Sequence, residues 1–464
     1  MRRVAAIIVL AVVAIGAATI ADYPGSVAIA WQGWEIDTSV GVLVAAVALV
    51  ALALWLVFSL FAGALRLPRL FRRYRRERRR RLGELALTRG VAALAAGDRS
   101  IARRQAERAE MLLGPNPLAL MLTAHTALLD GDAAGAHRRY IALLENKDSA
   151  FIGLRGLIGE ALRAGNDDEA LGLAERAYRL RPSADWAFET LFALQTRAAK
   201  WEAARDTLTS AMRRKLLPTA RAGHHSGALN FELSLEAEQV GDGRRAVSLA
   251  ATAQEMLPDI AAAAARHARL LIAEGRYKAA RRVLEAAWHR APHPELMALW
   301  NALGDAAPAL ELVAWTEKLA THNPDASETA VARAEAALTA QLWGEARRHL
   351  GEAMAASPGV TPRRLCLLMA RLEDSEHPGE GRAREWLDRA LTAPADAGYV
   401  CAQCGGVNHE WRALCAHCHG FDTLAWRPPA GPHAGDVPAL VDTVAPAVLL
   451  PMPDDLASAG QSAR

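Results

Sequence analysis

The chain has 464 residues, 52% of them hydrophobic, and a formal net charge of +3. The chain is therefore neither too small nor too polar to bury a core. Its length alone suggests about three domains. The charge is uneven, since residues 66–81 hold ten arginines against one glutamate, a local +9 that leaves −6 for the rest.

Two apolar runs near the N-terminus are long enough to cross a membrane. Val4 to Ala21 is an uncharged run of 18 residues and Val40 to Leu65 is another of 26. Each could span a hydrocarbon core of about 30 Å as a helix. We therefore expect a transmembrane hairpin over residues 1–65. A cleaved signal peptide is the alternative for the first run, because Arg2 and Arg3 precede it.

The charges around these runs predict a topology. The loop of residues 22–39 carries three acidic residues and no basic one, whereas Arg2 and Arg3 precede the first run and the basic segment 66–82 follows the second. By the positive-inside rule both termini are cytoplasmic and the loop is on the opposite side. We expect the basic segment to contact anionic lipid headgroups. Nucleic-acid binding by this segment is the disfavoured alternative.

A unit of 34 residues repeats through residues 83–396. An alanine that follows a glycine-containing turn recurs, in several places at a spacing of 34, and a proline often follows it 12 residues later. The alanines are Ala102, Ala136, Ala170, Ala204, Ala246, Ala280, Ala346 and Ala383, and the prolines at that spacing are Pro182, Pro258, Pro292 and Pro358. This pattern resembles tetratricopeptide repeats, which are helix pairs with a period of 34. A degenerate unit is expected between Gly304 and Pro324.

One unit shows the packing that we expect of all of them. Gly275 starts a tight turn, Ala280 and Ala287 allow neighbouring helices to approach closely, and Tyr277 and Leu284 fill the gap between them. A single helix pair cannot bury its apolar face, so the pairs must stack into an α-solenoid. Such a solenoid offers a groove for proteins or peptides, and we predict no catalytic residue in it.

The adjacent pair His224-His225 is the one place in the repeats where metal or haem ligation deserves consideration. Neighbouring residues do not share a helix face, and Gly223 and Ser226 flank the pair. We therefore predict a loop or helix-start position for both histidines. The lone cysteine of the repeats, Cys366, lies among apolar residues and is expected to be buried.

The strongest chemical motif is a pair of Cys-x-x-Cys knuckles in residues 397–427, which is predicted to close a tetrahedral four-thiolate metal site. The predicted ligands are Cys401, Cys404, Cys415 and Cys418. Zinc is the favoured ion, and iron in a rubredoxin-like site is the alternative because ligands and geometry are the same. Trp411, Phe421 and Trp426 are expected to supply the small core of this module.

A second interpretation of the same motif is covalent haem attachment, because residues 415–419 also spell C-x-x-C-H. That chemistry belongs to an oxidising compartment, which the predicted topology excludes, and it would leave Cys401 and Cys404 without a role. The remaining residues, 428–464, are rich in proline and small side chains and are predicted to be disordered. Within them, Val444 to Leu450 could be a linear docking motif.

The order of anchor, repeats and four-cysteine module resembles the HemY-type membrane proteins of proteobacteria, in their longer form. The stretches that carry the resemblance are the inter-span YPGSVAIAWQGWEIDTS, the arginine-rich segment and the closing CAQCGG and CAHCHGFDTLAW. The family pattern has a glycine after the second knuckle, where this chain has His419 followed by Gly420. The resemblance implies a bacterial inner membrane, with residues 22–39 periplasmic.

The resemblance also implies a function. HemY-type proteins are associated with haem or protoporphyrin metabolism, so we expect a non-enzymatic scaffold in that area. Whether haem itself binds is left open. The layout is also similar to LapB-type adaptors, which implies an alternative in which the chain delivers a membrane enzyme of lipid assembly to a protease. A third alternative, an enzyme or haem carrier, is disfavoured because the sequence lacks P-loop, G-x-S-x-G and H-E-x-x-H patterns.

Overall fold

The computed structural model describes residues 25–31, 34–304, 308–356 and 361–429. The predicted first membrane span, residues 4–21, lies outside these residues, as does the predicted tail from residue 430 onward. The chain divides into two compact units, residues 1–130 and 131–464.

In the first unit, two antiparallel strands precede a long helix. Strands β1 (Ser26–Trp31) and β2 (Trp34–Ser39) pair with Ser26 opposite Ser39 and Trp31 opposite Trp34. They occupy most of the predicted inter-span loop, residues 22–39. The Val40 amide donates to the Gly25 carbonyl at 3.1 Å, so the first residue of the following helix is tied to the start of the hairpin.

Helix α1 (Val40–Ala95) carries the predicted second span. Its segment Val40–Phe58 has a mean hydropathy of 2.9 and none of it is buried. The same helix continues without interruption through the predicted basic segment and into the first repeat. In the part of the chain that the structure describes, this is the one helix long and apolar enough to cross a membrane.

The C-terminal part of α1 packs against α2 (Arg99–Leu113) and α3 (Pro117–Leu129). Two glycines of α1 allow this packing. A Cβ atom at Gly83 would lie 2.5 Å from the Leu113 side chain, and one at Gly90 would lie 2.6 Å from that of Leu122. The first unit therefore ends in closely packed helices of the repeat type.

The second unit is a run of antiparallel helix pairs followed by a small sheet. Successive helices pack on one another along the chain. They are α4 (Ala133–Leu144), α5 (Ala150–Arg163), α6 (Asp167–Leu180), α7 (Asp185–Arg197), α8 (Trp201–Arg213), α9 (Thr219–Gln239), α10 (Gly243–Met256), α11 (Ala261–Ala273), α12 (Tyr277–Arg290), α13 (Pro294–Leu303), α14 (Ala309–Ala320), α15 (Ser327–Thr339), α16 (Trp343–Ala355), α17 (Arg363–Glu376) and α18 (Arg382–Thr392). We call α5, α7, α9, α11, α13, α15 and α17 the first helices of their pairs.

Seven of the eight repeating alanines are the fourth residue of the second helix of their pair. Seven of the eight have no exposed surface: Ala102, Ala136, Ala170, Ala204, Ala246, Ala280 and Ala346. The eighth, Ala383, is half-buried in the last helix. An alanine at the contact lets two helices come close. The spacing of 34 residues between alanines therefore corresponds to one close helix contact in each helix pair. This confirms the predicted α-solenoid.

The turns before Ala102, Ala136 and Ala246 explain the Gly-Asp dipeptide that precedes each of these three alanines. Gly97 has φ of 78°, and the Asp98 carboxylate then accepts a hydrogen bond from the Ile101 amide at the start of α2. The same arrangement recurs at Gly241 and Asp242 before α10. Glycine permits the left-handed backbone and aspartate caps the next helix.

The degenerate unit predicted around Gly304 to Pro324, in the gap between Ala280 and Ala346, corresponds to α14 together with the preceding helix α13. The Trp300 and Trp315 rings stack 4.7 Å apart, and each indole N–H donates to the backbone carbonyl of the other at 2.9 Å. A Cβ atom at Gly304 would lie 2.7 Å from the Trp315 ring. Here a tryptophan pair replaces the usual small-residue contact, which explains why the spacing pattern weakens.

One packing expectation was wrong. Ala280 and Leu284 have no exposed surface, as expected, but Tyr277 is 53% exposed and does not fill the gap between helices. It lies at the first position of α12, where the side chain points away from the contact. Cys366 is buried, as predicted.

Candidate metal centre and the surface that holds it

The module after α18 is a three-stranded antiparallel sheet in the order β4-β3-β5, which we call the ribbon (residues 398–427). Its strands are β3 (Gly398–Cys401), β4 (Val407–Asn408) and β5 (Leu424–Arg427). The first knuckle begins at the end of β3. The second lies between β4 and β5.

The two knuckles have the same backbone hydrogen bonds. The Gly405 amide donates to the Cys401 carbonyl at 3.0 Å, and the His419 amide donates to the Cys415 carbonyl at 3.0 Å. Gly405 and His419 have φ values of 72° and 55°. His419 therefore adopts the left-handed conformation expected of a glycine, at a cost in backbone strain. The predicted departure at His419 changes the residue but not the turn.

The four predicted sulfur atoms come together. The Sγ atoms of Cys401 and Cys418 are 3.7 Å apart, and those of Cys404 and Cys415 are 3.8 Å apart. All four lie within 4.8 Å of one another. A tetrahedral site with metal–sulfur bonds of about 2.3 Å has sulfur–sulfur edges of about 3.8 Å. The donor set thus fits a four-thiolate metal ion, and this geometry is common to zinc and iron.

Hydrogen bonds converge on the sulfurs from the turns that hold them. The amides of Gln403 and His417 lie 3.4 Å from the Sγ atoms of Cys401 and Cys415, respectively. The Thr423 hydroxyl lies 3.2 Å from the Cys401 sulfur. These donors favour the thiolate form, which is the form that binds metal.

The thiols differ in acidity for physical reasons. Burial opposes ionisation of Cys401, but the hydrogen bonds from Thr423 and from backbone amides bring its pKa down to about 7. Burial raises the pKa of Cys418, and the neighbouring sulfurs of Cys404 and Cys401 raise it further. Four thiolates this close repel one another, so a cation at their centre is what allows all of them to ionise.

The histidines of the ribbon do not belong to the sulfur cluster. The His417 ring nitrogen Nε2 lies 2.9 Å from the Val407 carbonyl oxygen, and its ring leaves no room for a side chain at Gly406. It therefore braces the first turn against the second. The cysteines of the C-x-x-C-H motif are both drawn into the four-sulfur cluster, which disfavours the haem-attachment interpretation.

The ribbon packs on the first helices α7, α9 and α13, and its predicted core residues make that contact. The Trp411 ring meets that of Phe231 edge-on at 4.8 Å, and the Phe421 ring meets that of Phe192 at 5.1 Å. Trp426 contacts His293. The prediction that these aromatic residues form the ribbon's own core was therefore wrong in part, because the core is shared with the solenoid.

A buried carboxylate anchors the ribbon to α9. Glu232 is 2% exposed. It accepts hydrogen bonds from Arg412 Nη2 at 2.8 Å and Nε at 3.1 Å, and from the Ala413 amide at 2.8 Å. Sequence reasoning missed this residue. The signal was a glutamate inside GALNFELS, a stretch of α9 in which all eight residues, 227–234, are buried.

The adjacent histidines of the repeats contact the ribbon as well. The Nδ1 atoms of His224 and His225 lie 2.6 and 2.8 Å from one carboxylate oxygen of Asp422. Both histidines lie in the second turn of α9 (Thr219–Gln239), so of the two predicted positions, loop or helix start, the structure has the one near the helix start. Both histidines contact the same carboxylate because Asp422 belongs to the ribbon and lies against α9 at this point.

The edge of the contact is formed by Tyr399, which is buried. Its hydroxyl donates to the Glu295 carboxylate at 3.3 Å, and its ring stacks on His293. Burial lowers the pKa of His293 to about 4, so this histidine is neutral at physiological pH. The contact of the ribbon thus runs from α7 to α13.

Another group of possible metal ligands among the described residues is Glu373, Glu376 and His377. Arg347 donates to both of these carboxylates at 2.6 Å. The group is therefore an ion-pair cluster between α16 and α17. The four sulfurs, by contrast, would complete a tetrahedral ion with no open position, which is the arrangement of a structural site.

The chain is similar to known proteins over parts of its length. Residues 25–131 match the family described as HemY protein N-terminus. The probable magnetosome protein Mms48 of Magnetospirillum gryphiswaldense is 28% identical over 432 residues, which cover 92% of this chain and 93% of that protein.

Solved repeat structures resemble parts of the chain. A tetratricopeptide repeat protein of Parabacteroides merdae is 12% identical over 67% of this chain and 99% of its own, with a TM-score of 0.29. A thermophilic repeat protein of Thermus thermophilus is 20% identical over 41% of this chain and 99% of its own, with a TM-score of 0.23. A chain of the Naa15/Naa10 complex bound to HypK is 15% identical over 67% of this chain and 58% of its own, with a TM-score of 0.38.

Residues 25–131 are similar to the HemY protein N-terminus, α1 carries an exposed apolar segment, and the helix pairs form a tetratricopeptide-type solenoid.

Proposed function

We propose that this protein is a non-enzymatic scaffold, anchored in a bacterial inner membrane, that gathers partner proteins on the cytoplasmic face. The solenoid supplies the interaction surface and α1 supplies the anchor. Two features support the anchor: the side chains of Val40–Phe58 are exposed and apolar, and ten arginines follow in residues 66–81. Exposed apolar surface next to such a basic run suits a bilayer with anionic headgroups.

The ribbon has a structural role in this proposal. Cys401, Cys404, Cys415 and Cys418 would hold one zinc ion, with iron as the alternative. The observation that carries the proposal is the sulfur geometry, with edges of 3.7 and 3.8 Å and four donors that close the tetrahedron. A closed site offers no position for a substrate, so the ion would shape the ribbon and catalyse nothing.

The partners that we propose belong to haem or porphyrin metabolism. This part rests on the HemY family match at residues 25–131. An adaptor that presents a membrane enzyme to a protease is the second candidate. The rubredoxin-like hydrogen bonding of the two knuckles, joined to a repeat solenoid, favours it.

Affinity capture tests these proposals. The full chain would be cross-linked in its native membrane, solubilised and purified, with untagged membranes as the control. Enrichment of tetrapyrrole enzymes supports the first candidate, and enrichment of a protease together with a lipid-assembly enzyme supports the second. A chain that enriches no protein over the control contradicts a scaffold. Elemental analysis of the same material reports the metal.

A further inference from the structure

The groups that bind the ribbon to the solenoid lie on the segments that the cysteines hold. Residues 411–413 lie between the two knuckles, and residues 421–422 follow the second knuckle directly. The first segment provides the ion pair with Glu232, and the second provides the Asp422 contact with His224. Fixing the sulfurs therefore fixes the position of both contact segments.

The ribbon has little else to maintain its shape. Its strands have four, two and four residues. Its largest buried aromatic residue, Trp411, packs on Phe231 of α9. A module of about 30 residues with so small a core of its own cannot fold alone without a metal or a partner surface. Here the sulfur cluster would provide the metal site inside the ribbon, and α9 provides the surface outside it.

The solenoid in turn positions the backbone between the knuckles. Glu232 accepts a hydrogen bond from the Ala413 amide as well as from the Arg412 side chain. Ala413 lies two residues before Cys415 and its carbonyl accepts from the Asp422 amide. One buried carboxylate thus restrains the approach to the second knuckle.

We propose that metal binding by the four cysteines and docking of the ribbon on α9 form one coupled equilibrium. The ribbon is a metal-dependent cover over Phe192, Phe231 and Glu232. This inference rests on the proposed metal site. Because coupling is reciprocal, loss of the metal uncovers this surface, and a change in the surface weakens metal binding by the same factor.

Hydroxyl-radical footprinting of the full chain in detergent tests whether loss of the metal uncovers this surface. Metal content is measured before and after treatment with a chelator. We expect oxidation of Phe192 and Phe231 to rise about ten-fold when the metal is removed. Trp288 should stay protected, because it lies inside the solenoid and donates to Thr329 at 3.2 Å. It reports that the helices remain folded.

Two variants test whether a change in the docking surface weakens metal binding. Glu232→Lys reverses the charge under the ribbon, and Arg412→Glu does so from the ribbon side, so that a folding defect of one does not decide the result. Each should weaken metal binding about ten-fold in competition with a chromophoric chelator. Glu236→Lys is the matched control, since Glu236 lies on the same helix and is exposed. It should leave metal affinity and the Phe231 footprint unchanged.

The outcomes separate this inference from the proposed function. A chain that carries metal, loses it to the chelator and keeps Phe231 protected overturns the coupling and leaves the metal site standing. The same holds if the two reversal variants expose Phe231 without any change in metal affinity. A chain purified from its native membrane without metal overturns both the site and the coupling.

Discussion

Glu232 and Arg412 are 180 residues apart in the chain and form a two-point ion pair, with Nη2 of Arg412 at 2.8 Å from the glutamate. The glutamate is buried and the arginine is partly exposed. The pair joins a helix in the middle of the solenoid to the loop between two metal knuckles. It makes the ribbon part of the repeat domain in the folded chain.

Docking of the ribbon should depend on the two-point geometry of this ion pair, which we call its fork, as well as on its charge. Arg412→Lys keeps the charge but offers a single point of contact, and a guanidinium and an ammonium are not equivalent at a two-point site. We expect docking of the ribbon to weaken by about 1 kcal/mol. Protease protection of residues 393–427 measures the change. Arg427→Lys is the control, and an equal effect there would contradict the role of the fork.

The left-handed turn at His419 should be a point of strain. His419→Gly removes the side chain where φ is 55°, and we expect the ribbon to become more stable by about 0.5–1 kcal/mol. Gly405→Ala is the matched change in the other knuckle. Since no atom would meet the new Cβ, the backbone alone should destabilise that turn by about 1 kcal/mol. Resistance of the metal to a chelator measures both. Effects of the same sign would refute the argument.

Helix contacts in the solenoid should depend on particular glycines. A Cβ atom at Gly153 of α5 would lie 2.6 Å from the Tyr140 carbonyl oxygen of α4. We expect Gly153→Ala to lower the free energy of unfolding by about 1–3 kcal/mol, because two backbones must separate. Gly172→Ala in α6 meets no atom and should raise it by about 1 kcal/mol through helix propensity. Urea unfolding followed by circular dichroism distinguishes the two.

Ribbon docking should weaken as pH rises above neutrality. The hydrogen bond with Asp422 raises the pKa of His224. Burial alone would raise the pKa of Asp422, but its hydrogen bonds to His224 and His225 lower it overall. A raised histidine pKa contributes stability that is complete below the unfolded value of about 6.5 and is lost as pH rises through the folded value. The aspartate contribution is lost only in acid, as pH falls through its folded pKa.

Protease protection of the ribbon between pH 6 and 8 checks this prediction. The wild-type chain should lose protection towards pH 8. Asp422→Asn should show a flatter profile, because it removes the carboxylate with which His224 pairs. Metal content is followed in parallel, so that loss of the ion is not mistaken for loss of the ion pair. A wild-type profile that rises with pH would contradict the assignment.

The sequence allowed the solenoid to be predicted because its information is local. Ala170 and Ala204 are 34 residues apart, and each makes the same contact within its own pair of helices. The clustering of the four cysteines could be predicted for the same reason, since each knuckle is a four-residue turn. The α1 helix was predicted as an apolar run, although its continuation to Ala95 was not.

The docking of the ribbon could not be predicted in the same way. Glu232 and Asp422 acquire partners 180 and 198 residues away, and no spacing rule connects such positions. Trp411 and Phe421 were assigned to a core inside the ribbon because a small module needs one. The structure meets that need with Phe231 and Phe192 from the solenoid. An acidic residue within a fully buried helical stretch is the signal that a partner must come from outside the helix.

We propose above all that four cysteines hold one structural metal ion in a ribbon attached to a repeat scaffold. Elemental analysis with an absorption spectrum of the full chain, purified in detergent beside the Cys404→Ser/Cys418→Ser variant, tests it most directly. We predict one zinc per wild-type chain, no visible absorption, and loss of the metal in the variant. A wild-type chain without metal, or one with an intense Soret band, would contradict the account.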